Sequence, residues 1–357
     1  MIEHQTPIPK LQPPASEDDL RNISGTPFFS KVYEACLCDW LMPIVKPFLD
    51  PANCGGLRGT SINHYLIRLL HFIHSNVDKT TPHAVVMALV DLSKAFNRVD
   101  HSLVIQDLHD MQVPAWLLKI LISYLTKRSM VLTFKGATSG KRHLPGSSPQ
   151  GVFLGCFFFM VKFNGALLRP SIPRPFPKPI PMIDSKASYC TVKYIDDASQ
   201  ACAINLKKSL TAINLTHRPR PLEFVEHTGF TLNLPNELQT DLDDLKTFTD
   251  RNLMTINERK TQIMCFNFRK SLEFPPIFRI GNGMQLDIVD HAKLLGVVIS
   301  SDLKWSRHVD YMCRRASSKI WILRRMRILG LDLYYLTFTV KKSAPFLNLV
   351  LLAGTVA

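Results

Sequence analysis

The sequence has no C-x-x-C pair and no Cys/His cluster with zinc-ligand spacing, although it holds eight cysteines. Cys36 and Cys38 flank one residue and the others stand alone. That spacing argues against a structural zinc module and for buried free thiols in a reducing compartment. His64, His71 and His74 can share one helix face, but such spacing arises cheaply and carries no metal site by itself. Long apolar runs are also missing. The longest, Gly151 to Val161 and Ala344 to Ala357, fall short of the roughly 20 residues that a membrane-spanning helix needs. Met1 to Ser16 is polar and Pro-rich without an apolar core, so it is no secretory signal and reads as a flexible leader. Acidic residues are scarce: 29 Asp and Glu stand against 43 Lys and Arg, a formal net charge of +14. That surplus points to a polyanion, either nucleic acid or an anionic membrane. With 46% hydrophobic residues in 357, there is enough apolar material for one large domain with subdomains or two ordinary ones. The expectation is a soluble intracellular chain, nuclear or cytoplasmic, neither secreted nor transmembrane.

What is present is a legible alternation of helices and strands. Val32, Cys36, Trp40 and Ile44 recur at helical spacing between Phe28 and Phe48. Gly55, Gly56 and Gly59 mark a loop, and Ser61 is a candidate N-cap for a helix carrying Tyr65, Leu66, Leu69, Leu70 and Ile73. Ala84 to Leu92 is an almost unbroken apolar run, rich in Val, with Asp91 near its end, and reads as a buried strand. Helices are expected over Ser102 to Met111, Ala115 to Leu125 and Cys156 to Leu168, and a strand over Met130 to Lys135. Arg169 to Pro181 contains six prolines and reads as a linker or insertion. Tyr189 to Ala203 reads as a hairpin with Asp196 and Asp197 at its turn. Leu238, Leu242, Leu245 and Phe248 line one helix face. Gln262 to Phe268 and Ala292 to Ile299 read as strands. Ser306 to Met326 is a basic helix carrying Arg307, Arg314, Arg315, Lys319, Arg324 and Arg325.

The acidic residues suggest chemistry. If the strand ending at Asp91 neighbours the hairpin in one sheet, three carboxylates converge at its end. Hard oxygen donors suit Mg²⁺, which prefers a few carboxylates and substrate phosphates to a cage of protein ligands. Two such ions can clamp the attacking and leaving oxygens of a phosphoryl transfer. An Asp-Asp pair alone is weak evidence, since solvated turns contain many, and Asp243-Asp244 reads as one of those.

Tyr194-Ile195-Asp196-Asp197 resembles the tyrosine-x-Asp-Asp box of reverse transcriptases. Further boxes follow the family's order from about Leu20 to Leu329. Asp91-Leu92-Ser93-Lys94-Ala95-Phe96 looks like the first catalytic box of the non-LTR (long interspersed element) branch. Ser148-Pro149-Gln150-Gly151 is similar to the Pro-Gln-Gly box, Asn257-Glu258-Arg259-Lys260-Thr261 to the later lysine box, and Leu294-Leu295-Gly296-Val297 to the primer grip. Arg21-Asn22-Ile23-Ser24 and Gly56-Leu57-Arg58-Gly59-Thr60-Ser61 look like fingers motifs.

The resemblance implies an α+β right-hand polymerase with fingers, a palm built on an antiparallel sheet and a partial helical thumb. It implies fingers over 17–83, a palm over 84–300 with the Pro-rich insertion at 169–181, a basic thumb over 301–330, and an aberrant tail over 331–357. The implied activity is an RNA-directed DNA polymerase. Its cofactor would be two Mg²⁺ ions, with Mn²⁺ as a substitute, held by Asp91, Asp196 and Asp197. Its partners would be an RNA template, a DNA primer and deoxynucleoside triphosphates, with no membrane and no inferable protein partner. Phe96 would be the steric gate, Lys260 would act on the leaving pyrophosphate, and Gln150, Gly151 and Tyr194 would face template and nucleotide. Arg58 and Arg21 would contact phosphates, and the basic helix would hold the duplex backbone. Taken one residue at a time, plainer roles stay open. Phe96 can pack a core, Gln150-Gly151 can be an ordinary turn, Lys260 a solvated lysine, and the basic helix a membrane-surface helix.

The match also departs from the family. Asn97 stands where the family has a second Asp, and Ser148, Val152 and Cys156 replace the usual Gly, Ser and Pro. No endonuclease precedes the polymerase boxes, and Tyr334 to Ala357 reads as a frameshifted or truncated tail. A second expectation is therefore an inactive retroelement remnant that at most binds nucleic acid nonspecifically.

Overall fold

The computed structural model describes residues 2–9, 16, 20–80, 83–126, 128–144, 146, 152–166, 188–205, 237–268, 277–281 and 283–329. The Pro-rich stretch 169–181, most of Asn205 to Phe230, the Ser148 to Gly151 box and the tail from 331 lie outside them. Among the described elements are strands β1 (Ile2–Pro9) and β2 (Leu20–Gly25), helices α1 (Phe28–Val45) and α2 (Ile62–Val77), strand β3 (His83–Val90), helices α3 (His101–Asp110) and α4 (Ala115–Leu125), strand β4 (Ser129–Phe134), helix α5 (Phe153–Lys162), the hairpin β5 (Tyr189–Tyr194) and β6 (Asp197–Asn205), helix α6 (Glu237–Arg251), the hairpin β7 (His291–Leu294) and β8 (Val297–Ser300), and helix α7 (Ser306–Ile328). This is an α+β chain with antiparallel sheets. It divides into two compact units, 1–263 with 276–287, and 264–275 with 288–357.

In the first unit the central sheet runs β5-β6-β3, and a strand that begins at Gln262 flanks β3 on its other side. Both described pairings among β3, β5 and β6 are antiparallel. β3 is apolar and almost wholly buried, Ala84 to Ala88 being fully so, as its unbroken Val-rich run requires. α2 packs on β3 and β5 through Tyr65, Leu69, Phe72 and Ile73. Tyr65 donates to the Ser199 hydroxyl of β6 at 2.7 Å. Burying that phenol pushes its pKa far up, so it stays a neutral donor. α6 lies against β6 with Leu238, Leu242 and Leu245 buried, and Gln200 of β6 donates to Asp241 at 2.7 Å.

Two expectations need correction. Residues 2–9 form a strand, not a flexible leader: β1 sits between β2, antiparallel, and β4, parallel. Its prolines are tolerated because the β4 pairing stops at Gln5, so Pro7 and Pro9 need supply no amide on that side. The helical spacing between Phe28 and Phe48 is borne out as α1, in which Glu34, Leu37, Leu41 and Val45 are buried, while Val32, Cys36 and Trp40 are exposed. The face turned inward is the one that meets α5. Trp40 instead meets Trp116 of α4 edge to face, with ring centroids 6.0 Å apart. Finally, Ala292 to Ile299 is not one strand. It is folded at Leu295-Gly296, both at positive φ (48° and 89°), into the two-residue turn that the twist of a hairpin favours. Ser61 does precede α2, but its side chain makes no capping bond there and contacts His64 instead.

The second unit is described by the β7–β8 hairpin and α7. Its helix packs on β8, where the buried ring of His308 accepts the Val298 amide at 3.2 Å. Burial holds the pKa of His308 below its ordinary value. Arg307, Arg314, Arg315 and Arg325 are exposed on α7. No described helix is long and apolar enough to cross a membrane.

Candidate active site

The β3–β6 ladder runs from His83 opposite Asn205 to Val90 opposite Ala198. Carried one residue further, the same register sets Asp91 opposite Asp197. Directly opposed residues have Cβ atoms about 4.5–5.5 Å apart. Asp197 in turn pairs with Tyr194 across the β5–β6 turn, which leaves Ile195 and Asp196 as the two loop residues. Asp91, Asp196 and Asp197 thus gather at one end of one sheet. Electrostatics agree. Burial, then the charges of Asp196 and Asp91, raise the Asp197 carboxyl to a pKa of about 6. The Cys156 thiol of α5 is pushed up by burial and then by Asp196, so this helix also faces the tip.

Two further segments meet there. The Asn257–Thr261 box is laid against Asp91: the Asn257 amide donates to the Asp91 carbonyl at 2.8 Å, and the Asp91 amide donates to the Thr261 hydroxyl at 3.3 Å. Lys260 is exposed on that same turn. Phe96 follows on a single 3₁₀ turn, Ala95–Arg98. It stacks on the buried Phe159 of α5, with centroids 4.9 Å apart, so it is half-buried. A packing role and a rim position therefore coexist in one ring. Arg58 is exposed within the glycine loop and Arg21 is exposed on β2. No described interaction draws either to the carboxylates. Gln150 and Gly151 lie outside the described residues.

The tip itself is strained and tightly held. Ile195 has φ +56°, where a β-branched residue is a rare outlier and a primed turn normally uses glycine. Its neighbour is Gly55. A Cβ added at Gly55 would overlap the Ile195 backbone nitrogen and approach the Tyr194 carbonyl carbon at 3.0 Å. Lys193, one residue before Tyr194, pairs backbone to backbone with this loop. It donates to the Ala52 carbonyl at 3.0 Å, and its own carbonyl accepts the Cys54 amide at 2.7 Å. Lys193 and Asp50 escaped the sequence analysis. The available signal was a lysine inside an otherwise apolar strand, since Lys193 stands between Val192 and Tyr194.

Among the described residues, no group of three His, Cys, Asp or Glu side chains could hold an ion by itself. His64, His71 and His74 form no such group. The carboxylates at the sheet end still fit a hard cation. They are oxygen donors, their mutual repulsion is visible at Asp197, and Mg²⁺ completes its shell with water and substrate phosphate.

A family model described as reverse transcriptase (RNA-dependent DNA polymerase) matches residues 8–312. The chain belongs to this family and has its α+β fold. Reverse transcriptases as a family work with divalent metals. Among solved structures, it is similar to apo telomerase from Candida tropicalis truncated from its C-terminal domain. The TM-score is 0.48 at 10% identity, over 85% of this chain and 54% of that one. It is also similar to telomerase from Candida tropicalis in complex with a fragment of telomeric RNA. There the TM-score is 0.48 at 11% identity, over 85% of this chain and 44% of that one. The chain thus spans about half the length of these telomerases. No curated protein sequence matches it.

Proposed function

We propose that the chain extends a DNA primer on an RNA template from deoxynucleoside triphosphates, with Asp91, Asp196 and Asp197 as the ligands of two Mg²⁺ ions that Mn²⁺ would replace. The observation that supports this most is the β3–β6 register, which sets Asp91 opposite Asp197 beside the Asp196 turn. Bound metal would activate the primer 3′-hydroxyl and stabilise the leaving pyrophosphate. The chain's own residues do the positioning. Phe96, steadied by Phe159, would crowd the 2′ position of the nucleotide and favour deoxynucleotides. Lys260 would bring a cation to the pyrophosphate from the turn that holds Asp91. Tyr194, Gln150 and Gly151 would face template and nucleotide, and Arg21 and Arg58 would bind phosphates. Exposed arginines of α7 would grip the duplex backbone without reading its sequence. In this reading 17–83 are fingers, 84–300 palm and 301–330 thumb. The Ser93-Lys94-Ala95-Phe96 and Leu294-Leu295-Gly296-Val297 boxes favour the non-LTR branch, with work in the nucleus or cytoplasm.

A second reading, nucleic-acid binding without turnover, is favoured by Asn97 in place of Asp and by Ser148, Val152 and Cys156 in place of the usual Gly, Ser and Pro. Primer extension on an RNA template with Mg²⁺ separates the two. Wild type should extend, and Asp196→Ala with Asp197→Ala should not. Equal extension by both chains sinks the first reading, and salt-sensitive binding retained in both would support the second.

A further inference from the structure

Three stretches of chain far apart in sequence meet around one lysine directly behind the aspartate tip. Lys193 is 1% exposed and Asp50 3%. The Lys193 ammonium lies 2.6 Å from the Asp50 carboxylate and donates to the Asn164 carbonyl at 3.0 Å. It also stands 5.7 Å from the centroid of the Phe163 ring. Asp50 is fixed in turn. Its amide donates to the Asn164 side-chain oxygen at 2.6 Å, and its carboxylate accepts the Ala52 amide at 2.9 Å. Asn164 completes the ring by donating to the Phe48 carbonyl at 2.9 Å. From this anchor the chain runs through Asn53, whose side chain accepts the Gly55 amide at 2.9 Å, to Gly55, which abuts Ile195.

A buried ion pair adds little net stability compared with a well-packed apolar substitute. Its presence here calls for another account. We infer that Lys193 and Asp50 are positioning residues for the carboxylate tip: the pair locks the 48–56 loop and the end of α5 onto β5, so that Gly55 holds Ile195 at positive φ and fixes where Asp196 and Asp197 stand. The inference rests on the proposed metal site for its consequence, but the anchoring itself can be read without metal or substrate. A primed turn whose first residue is isoleucine is not self-supporting. The loop pressing on it from Gly55 is what over-determines it. From the strand that ends in the tip, the Lys193 side chain reaches both the loop and the residues just past α5.

The test compares whole chains: wild type, Asp50→Asn with Lys193→Met, and Asn164→Ala. Removing both charges together avoids leaving one buried and unpaired. Three quantities are measured: thermal melting, amide hydrogen exchange over 190–198 without metal, and Mn²⁺ affinity by electron paramagnetic resonance. The double variant should melt near wild type, yet exchange at the tip at least tenfold faster and bind Mn²⁺ at least tenfold more weakly. Wild-type exchange and affinity in a double variant that melts normally overturn the inference. If the double variant does not fold, Asn164→Ala decides. It keeps both charges and the Asn164 carbonyl and removes the side-chain bonds to the Asp50 amide and the Phe48 carbonyl, and unchanged tip exchange there is equally fatal. A wild-type chain that binds no Mn²⁺ overturns the metal site instead, and the exchange readout still judges the anchor.

Discussion

Asp197 carries the burden of three carboxyl groups crowded at one sheet end. Burial, then Asp196 and Asp91, raise it from an ordinary 3.8 to about 6. The sign of the consequence follows. Below about pH 4 the carboxyl is protonated whether the chain is folded or not, and it costs nothing. Between about pH 4 and pH 6 the unfolded chain ionises first, so this group increasingly opposes folding as the pH rises, and does so fully above 6. A cation needs the ionised form. Mn²⁺ affinity should therefore fall about tenfold from pH 7.5 to pH 5, as expected for a carboxyl of pKa about 6 that is some nine-tenths protonated at pH 5. Titration at the two pH values checks this, and Asp197→Asn should flatten the dependence. An affinity in wild type that does not change with pH would contradict the crowding.

Elements differ in how much of them can be read in advance. β3 and the β5–β6 hairpin are legible because their patterns are local: an unbroken apolar run and a polar turn between apolar arms. The lysine box beside Asp91 is legible only as a motif, since its backbone bonds to Asp91 join residues far apart. β1 is hidden because its composition is that of a loop, and only its neighbours make it a strand. In α1 the spacing is right, but it does not say which face is buried. Val32-Cys36-Trp40 and Leu37-Leu41-Val45 both satisfy a 3.6-residue period, and α5, not the helix's own pattern, chooses between them. The choice can be measured by denaturant unfolding. Leu41→Ala, at a fully buried site, should cost about 2–5 kcal/mol. Val32→Ala, at a site 45% exposed, should cost under about 0.5 kcal/mol. Equal costs would contradict this choice of face. Lys193 escaped for the same reason as α1: its meaning lies in Asp50 and Asn164, which no local pattern connects to it.

For the whole molecule, the surplus of +14 becomes a statement about salt. Each phosphate neutralised on a duplex adds about 0.9 to the slope of log affinity against log salt. Arg314 and Arg325 are exposed on α7, so changing both to Gln should lower that slope by about 2 and leave melting unchanged. Filter binding on an RNA–DNA duplex at several salt concentrations reads it. An unchanged slope would remove α7 from the nucleic-acid interface.

The order of strands in the central sheet also sets a timetable. Both neighbours of β3, the strand β6 and the one that begins at Gln262, are synthesised after it. At ribosomal speeds Asp91 emerges roughly 5–20 s ahead of Asp196. Throughout that interval the Val-rich strand has two open edges, the kind of surface that recruits other chains. A nascent chain halted before Tyr189 should accordingly aggregate or occupy a chaperone, and release through Asn205 should begin to relieve it. Pelleting of stalled ribosome complexes would show the difference. A chain in which Asp91 must wait for Asp196 and Asp197 is most vulnerable while it is still being made.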